Sequence, residues 1–228
     1  MKNSSNYAFM AQPNGRAFLT VKLFYSASAQ KGLNMNIINM PSVISETTTG
    51  YFQTSIQTEM FKRREIQCIG EIDESSVNAI ILQILQLNNV NPEEEITLYI
   101  NSPGGSVQDG LALYDVMQAI NCPIRTVCVG MAASMAALLF ISGNRREMLP
   151  HSKIMIHDPR IMNTGGTALE IEAISKNIME IRQLTAEVIA KHSNNTVEQI
   201  LEKTKIDSYF SPKEAIEFGL ADTVIEHI

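Results

Sequence analysis

Two short, almost unbroken apolar runs, Ile96-Thr97-Leu98-Tyr99-Ile100 and Ile124 to Val129, each end in a glycine-containing turn that leads into a helical pattern. Runs of this length are strand-sized, and strands apolar on both faces belong to sheets covered on both sides. Such strands lie parallel and are joined by right-handed crossovers, here helical. The flanking segments continue the alternation. Ile66 to Ile72 is a further strand, and Asp73 to Leu87 is a helix that places Val77, Ile80, Ile81, Ile84 and Leu85 on one face with Asp73 as N-cap. Val107 to Ile120 is a helix ended by Asn121 and Pro123, and Met135 to Ile141 is another. A tight turn over Gly143 to Arg146 precedes one strand from Met148 to His157. The expected fold class is therefore α/β, built of repeated βαβ units.

Beyond this core, Thr167 to His192 reads as one amphipathic helix with Ile171, Ile174, Ile178, Ile181 and Val188 on one side. At about 1.5 Å per residue it would reach roughly 39 Å, long enough to serve as a cap or as a strut between subunits. A last helix opens at the capping box Ser211-Pro212-Lys213-Glu214 and closes at Gly219.

The chain has 228 residues, 45% apolar and 18% charged, which suits one compact domain with a modest appendage. Residues 1–34 are the appendage: the first acidic residue is Glu46, and the preceding charges are only Lys2, Arg16, Lys22 and Lys31. An acid-poor, hydroxylated segment fits a targeting or processed leader, or a disordered extension, ahead of a domain from Met35 to Ile228. Net charge is −6, and the one basic cluster, Lys62-Arg63-Arg64, is expected to cap a helix end in water, so no nucleic-acid partner is expected. Cys68, Cys122 and Cys128 are odd in number and match no metal spacing, which points to a reducing compartment. No apolar run approaches the ~20 residues needed to span a bilayer. The expected setting is cytoplasmic, with an organelle interior as the alternative.

Chemistry is expected where an apolar strand meets a helix. In Gly130-Met131-Ala132-Ala133-Ser134-Met135 a hydroxyl stands at the mouth of a helix, and Ala132 and Ala133 are small enough for a tight elbow. A serine becomes a nucleophile when a base takes its proton and amide donors stabilise the oxyanion. The Met135 N–H is one donor candidate, and Gly104-Gly105, at the carboxyl end of the neighbouring strand, offers a backbone free to approach closely. Among four histidines, His192 and His227 lie near expected exposed ends and His151 in a polar turn, whereas His157 leaves the apolar Ile154-Met155-Ile156. Asp158, Asp207 and Asp222 all qualify as the acid that would orient it.

The segments Tyr99 to Val107, Gly130 to Met135, Met155 to Pro159 and Asp207 to Ala215 resemble, in order, the hallmark segments of the ClpP family, the proteolytic subunits of ATP-dependent Clp proteases. The similarity runs from about Met35 to Ile228. It implies a crotonase-like α/β fold with a protruding helical handle, Thr167 to His192. It also implies a triad of Ser134, His157 and Asp207, with the N–H groups of Gly105 and Met135 as oxyanion hole. The implied partners are unfolded polypeptides and a hexameric AAA+ ATPase that consumes the ATP. This chain carries no GxxxxGK[ST] loop and is expected to hold no cofactor. Family members stack two heptameric rings. Here Lys205 and Ile206 replace residues that usually bond the rings, and Arg160, Ile161 and Met162 replace small residues along the substrate-pairing strand. The turn from Gly143 to Leu149 is short, and Thr47-Thr48-Thr49-Gly50 stands in for a charged loop. These differences imply a divergent member assembling with a paralogous subunit. Two other readings share the fold. An acyl-CoA enzyme of the crotonase type would place glycines at the elbow rather than a nucleophile. A catalytically weak ring subunit would have lost members of the triad.

Overall fold

The structure, a computed structural model, describes residues 42–47, 50–161 and 165–228, with residues 45–47 described for their backbone only. The extension over residues 1–34 and its expected boundary lie outside these residues, as do Thr48, Thr49 and Met162. The chain divides into two compact units between Arg63 and Arg64. In the first, strands β1 (Ser42–Thr47) and β2 (Gly50–Ser55) pair antiparallel, with Ser42 opposite Ser55. Helix α1 (Ile56–Lys62) follows, its N-cap Ser55 hydroxyl accepting from the Thr58 N–H at 3.0 Å.

The second unit runs β3 (Glu65–Ile72), α2 (Glu74–Val90), β4 (Ile96–Gly105), α3 (Val107–Ala119), β5 (Ile124–Ala133) and α4 (Met135–Ile141). It continues with β6 (Arg145–Met148), β7 (Lys153–Ile156), α5 (Ala168–Lys191), α6 (Val197–Lys203), β8 (Ser208–Phe210), α7 (Pro212–Glu217) and β9 (Thr223–Val224). Strands β3, β4, β5, β6 and β9 are neighbours in that order and parallel. The expected α/β class, with βαβ units and a helical handle, describes this unit. Ile66, Leu98, Ile100, Ile124 and Val127 are almost fully buried in the sheet, and Phe140 and Leu139 of α4 are buried with them. Cys68 and Cys128 lie in the same core, where burial pushes both thiols up to about 11.

Strand β5 changes partners along its length. Its first half, Arg125 to Cys128, pairs with β6, and its second half, Met131 to Ala133, pairs with β7. The single strand expected from Met148 to His157 is therefore two, β6 and β7, interrupted at Leu149 to Ser152. The expected turn over Gly143 to Arg146 is also shorter, because Arg145 and Arg146 belong to β6. Their charge reads as loop in a sequence, but here it is matched, Arg145 by Glu95 and Glu147 and Arg146 by Asp222. The buried Glu147 carboxylate accepts from Arg125 Nε at 2.7 Å, and Arg145 lies 2.6 Å from Glu95.

Helix α2 begins at the Asp73 capping box and buries Val77, Ile80, Ile84 and Leu87, spaced 3, 4 and 3 residues apart. Leu85, expected on that face, points outward instead. Arg64 does not cap a hydrated helix end. It has φ 61°, is buried, and donates to the carbonyls of Leu87 (3.2 Å), Asn91 (3.0 Å), Glu94 (2.9 Å) and Glu95 (3.2 Å). The guanidinium thus binds carbonyls of the last turn of α2, its C-cap Asn91 and the loop that leads to β4.

Helix α5 has 24 residues, about 36 Å of rise. No residue from Ala168 to Glu180 is buried, whereas Ala186, Val188 and Ile189 near its end enter the core. Leu169, Met179 and Leu184 expose apolar surface along it.

Replacing Leu98, which is 0% exposed on β4, by alanine leaves a cavity in the middle of the sheet. A urea titration of Leu98→Ala is expected to show a loss of about 2–5 kcal/mol with an unchanged m-value.

Candidate active site

The site forms where β5 and β7 end beside the start of β8. Ala133 of β5 pairs with Met155 of β7, and the Ser134 N–H donates to the Met155 carbonyl at 2.8 Å. Strand β7 in turn pairs antiparallel with β8, Ile156 opposite Ser208. The residues that immediately follow or precede these pairs are Ser134, His157 and Asp207, so one stretch of register brings three distant parts of the sequence together.

Ser134 adopts φ 55° and ψ −123°, a conformation a non-glycine residue takes only under constraint. It is the N-cap of α4, and its carbonyl accepts from the Ala137 N–H at 3.0 Å and the Leu138 N–H at 3.3 Å. Its side chain does not cap the helix, as an N-cap serine ordinarily would. The hydroxyl instead faces His157, with Ser134 Oγ 2.8 Å from His157 Nε2. The other ring nitrogen, Nδ1, lies 3.2 Å from Asp207 Oδ1.

Close backbone approach makes the elbow possible. Gly104 has φ +96°, and a Cβ there would stand 2.6 Å from the Ala133 carbonyl oxygen, 2.8 Å from Ser134 Cβ and 3.1 Å from Met135 N. A Cβ on Gly105 would meet the Ile72 carbonyl oxygen at 2.1 Å. The two glycines therefore serve different contacts: Gly104 lets the end of β4 lie on the elbow, and Gly105 lets it lie on β3. Of the two expected oxyanion donors, Met135 opens α4 beside Gly104, while Gly105 is one residue further along β4. The Gly104 N–H is itself engaged by Ser102 Oγ at 3.1 Å. Asn101 braces the approach to the elbow, its Oδ1 accepting from the Met131 N–H at 3.2 Å.

The structure separates the three candidate acids. Asp158 is held away from the imidazole: its Oδ1 accepts from Thr204 Oγ1 at 2.5 Å, its Oδ2 from Arg182 Nε at 2.6 Å, and its N–H donates to the Thr204 carbonyl at 2.8 Å. Asp222 is bound to Arg146. Burial raises its carboxyl, but the Arg146 side chain and N–H outweigh that and hold it below the usual range. Asp207 alone of the three contacts His157, and it also accepts from Arg160 Nη2 on the same oxygen. Of the other histidines, His151 lies exposed in a turn, as expected. His192 is half-buried with Nε2 3.2 Å from the Tyr114 hydroxyl, and burial, with Lys191 and Arg146 nearby, holds it below the usual imidazole range.

A cleft opens beside the serine and the imidazole. Val107, Met135, Leu138, Ile156 and Ile189 give it an apolar lining, while Arg182, Thr185 and Thr204 make one wall polar. Sequence reasoning had no signal for Arg182 or Thr204, which reach the cleft from elements remote in the chain. It noted Arg160 only as a bulky substitution.

A family model described as Clp protease matches residues 48–228. The match spans most of the chain and takes in Ser134, His157, Asp207, Gly105 and Met135.

Gly70 offers a control for the steric role of Gly104, since it also has positive φ (+82°) but open space where a Cβ would go. Gly70→Ala is expected to cost about 1–2 kcal/mol, the strain of the left-handed backbone alone. Gly104→Ala is expected to cost more in the same denaturation assay and also to slow modification of Ser134 by a fluorophosphonate probe, which Gly70→Ala leaves unchanged.

Proposed function

Because the chain belongs to the Clp protease family, a family of peptidases, we propose that it is a serine endopeptidase, the proteolytic subunit of an ATP-dependent Clp protease. The observation that carries this reading is the continuous line Ser134 Oγ, His157 Nε2, His157 Nδ1 and Asp207 Oδ1, with contacts of 2.8 and 3.2 Å. In the proposed cycle Ser134 attacks a peptide carbonyl as His157 takes its proton. Asp207 keeps the imidazole oriented and stabilises the imidazolium. Negative charge developing on the carbonyl oxygen meets the N–H groups of Met135 and Gly105, donors fixed before the reaction begins. His157 then protonates the leaving amine, and water, activated by the same imidazole, hydrolyses the acyl-enzyme.

The apolar lining of the cleft suits a peptide side chain beside the scissile bond. Exposed Leu169, Met179 and Leu184 on α5 suit burial against neighbouring subunits, in keeping with heptameric rings, here mixed with a paralogue. The chemistry requires no cofactor of this chain. ATP would be used by a hexameric AAA+ partner that delivers unfolded polypeptides, in the cytoplasm or an organelle interior. An acyl-CoA enzyme of the crotonase type would gain nothing from a hydroxyl lying on an imidazole, and a structural subunit would not need the full set of three.

A fluorophosphonate probe is expected to modify Ser134, identified by peptide mass, and to leave Ser134→Ala and His157→Ala unmodified. Cleavage of a fluorogenic peptide should fall by about three orders of magnitude or more in both variants. Full activity in Ser134→Ala would end the proposal.

A further inference from the structure

Pro159 disfavours helical backbone at Asp158, and the chain leaving His157 brings Arg160 back to the site. Arg160 Nη2 donates to Asp207 Oδ1, the same oxygen that faces His157 Nδ1 at 3.2 Å. Two charged neighbours in the sequence have partners of their own. Asp158, next to His157, is tied to Arg182 of α5, and Lys205 is paired with Glu202. Among the described residues Arg160 is the cation paired with Asp207 besides His157.

An orienting acid supports the transfer of a proton to histidine through its negative charge, felt by the imidazolium across the Nδ1–H bond. A guanidinium on the same oxygen turns that charge into a dipole and sets a second cation beside the one about to form. The distance of 3.2 Å lies at the long end of the usual 2.7–3.2 Å range for an N–H···O bond. We propose that Arg160 is a positioning residue that restrains the site, acting through Asp207 to weaken the carboxylate's support of the His157 imidazolium. The restraint is a releasable one. The Arg160 side chain is 62% exposed and Asp207 36% exposed, so the pair is open to screening by salt and to competition from whatever binds along the segment after Pro159.

This inference rests on the triad reading, and its test separates the two. The purified full chain, Arg160→Gln and Arg160→Lys are compared for kcat and KM on a fluorogenic peptide and for the rate of fluorophosphonate modification of Ser134, each at low and high salt. Arg160→Gln is expected to raise kcat and the labelling rate about two- to fivefold, the range that loss of an exposed ion pair converts to, with KM nearly unchanged. Arg160→Lys keeps the cation and should stay near the parent. High salt should bring the parent toward the glutamine variant and leave that variant flat. If Ser134 is labelled but Arg160→Gln is no faster, or is slower, or if the lysine variant is as fast as the glutamine one, the restraint is refuted while the triad stands. If the parent is not labelled at Ser134 at all, both proposals fall.

Discussion

Everything at the site depends on the register of one four-residue strand. Lys153–Ile156 (β7) lies between β5 and β8, with Met155 opposite Ala133 on one side and Tyr209 on the other. Side chains alternate along a strand, so a slip of one residue would move Ile154 and Ile156, both buried, out of the core and turn His157 to the opposite face. The apolar cost of exposing those two isoleucines, about 1.5–3 kcal/mol each, is what holds the imidazole on Ser134. Burial of the core and placement of the imidazole are one constraint.

The strained serine is a second consequence of that strand. Left-handed backbone at a non-glycine residue costs about 1–3 kcal/mol and persists only where neighbours over-determine it. Around Ser134 they do: its N–H is fixed to Met155, its carbonyl starts α4, and Gly104 closes the space on the third side. Seven residues of α4, all buried, then anchor the far end of the elbow. The hydroxyl is left as the one polar group of the residue not used by the fold.

Much of this was legible in the sequence where a single periodicity governed the outcome. The apolar runs at Ile96 and Ile124, the helices from Asp73 and from Val107, and the capping box at Ser211 depend on local pattern, and the structure repeats them. What escaped was non-local. Arg64 reads as part of a hydrated triplet, yet it is buried because the end of α2 and the loop before β4 present carbonyls to it from residues 23 to 31 positions away. The split between β6 and β7 was hidden because β5 serves both, and a strand that changes partners leaves no mark on its own pattern. Leu85 was misassigned for a simpler reason: Leu87 continues the 3, 4, 3 spacing from Val77 and takes its place in the core.

The three aspartates show why composition alone could not choose among them. Each has an arginine: Asp158 has Arg182, Asp222 has Arg146 and Asp207 has Arg160. The first two arginine side chains are only 21% and 16% exposed and also donate to backbone carbonyls, of Leu201 in one case and of His192 and Gly219 in the other. Those pairs are ties between elements, and breaking either would leave buried groups without partners. Among the described residues Arg160 has no such second anchor, and it stands largely in water. An aspartate tied to a half-buried arginine with backbone anchors joins elements of the fold, whereas one shared between an imidazole and an exposed arginine is the one whose charge, on the proposal above, bears on the histidine.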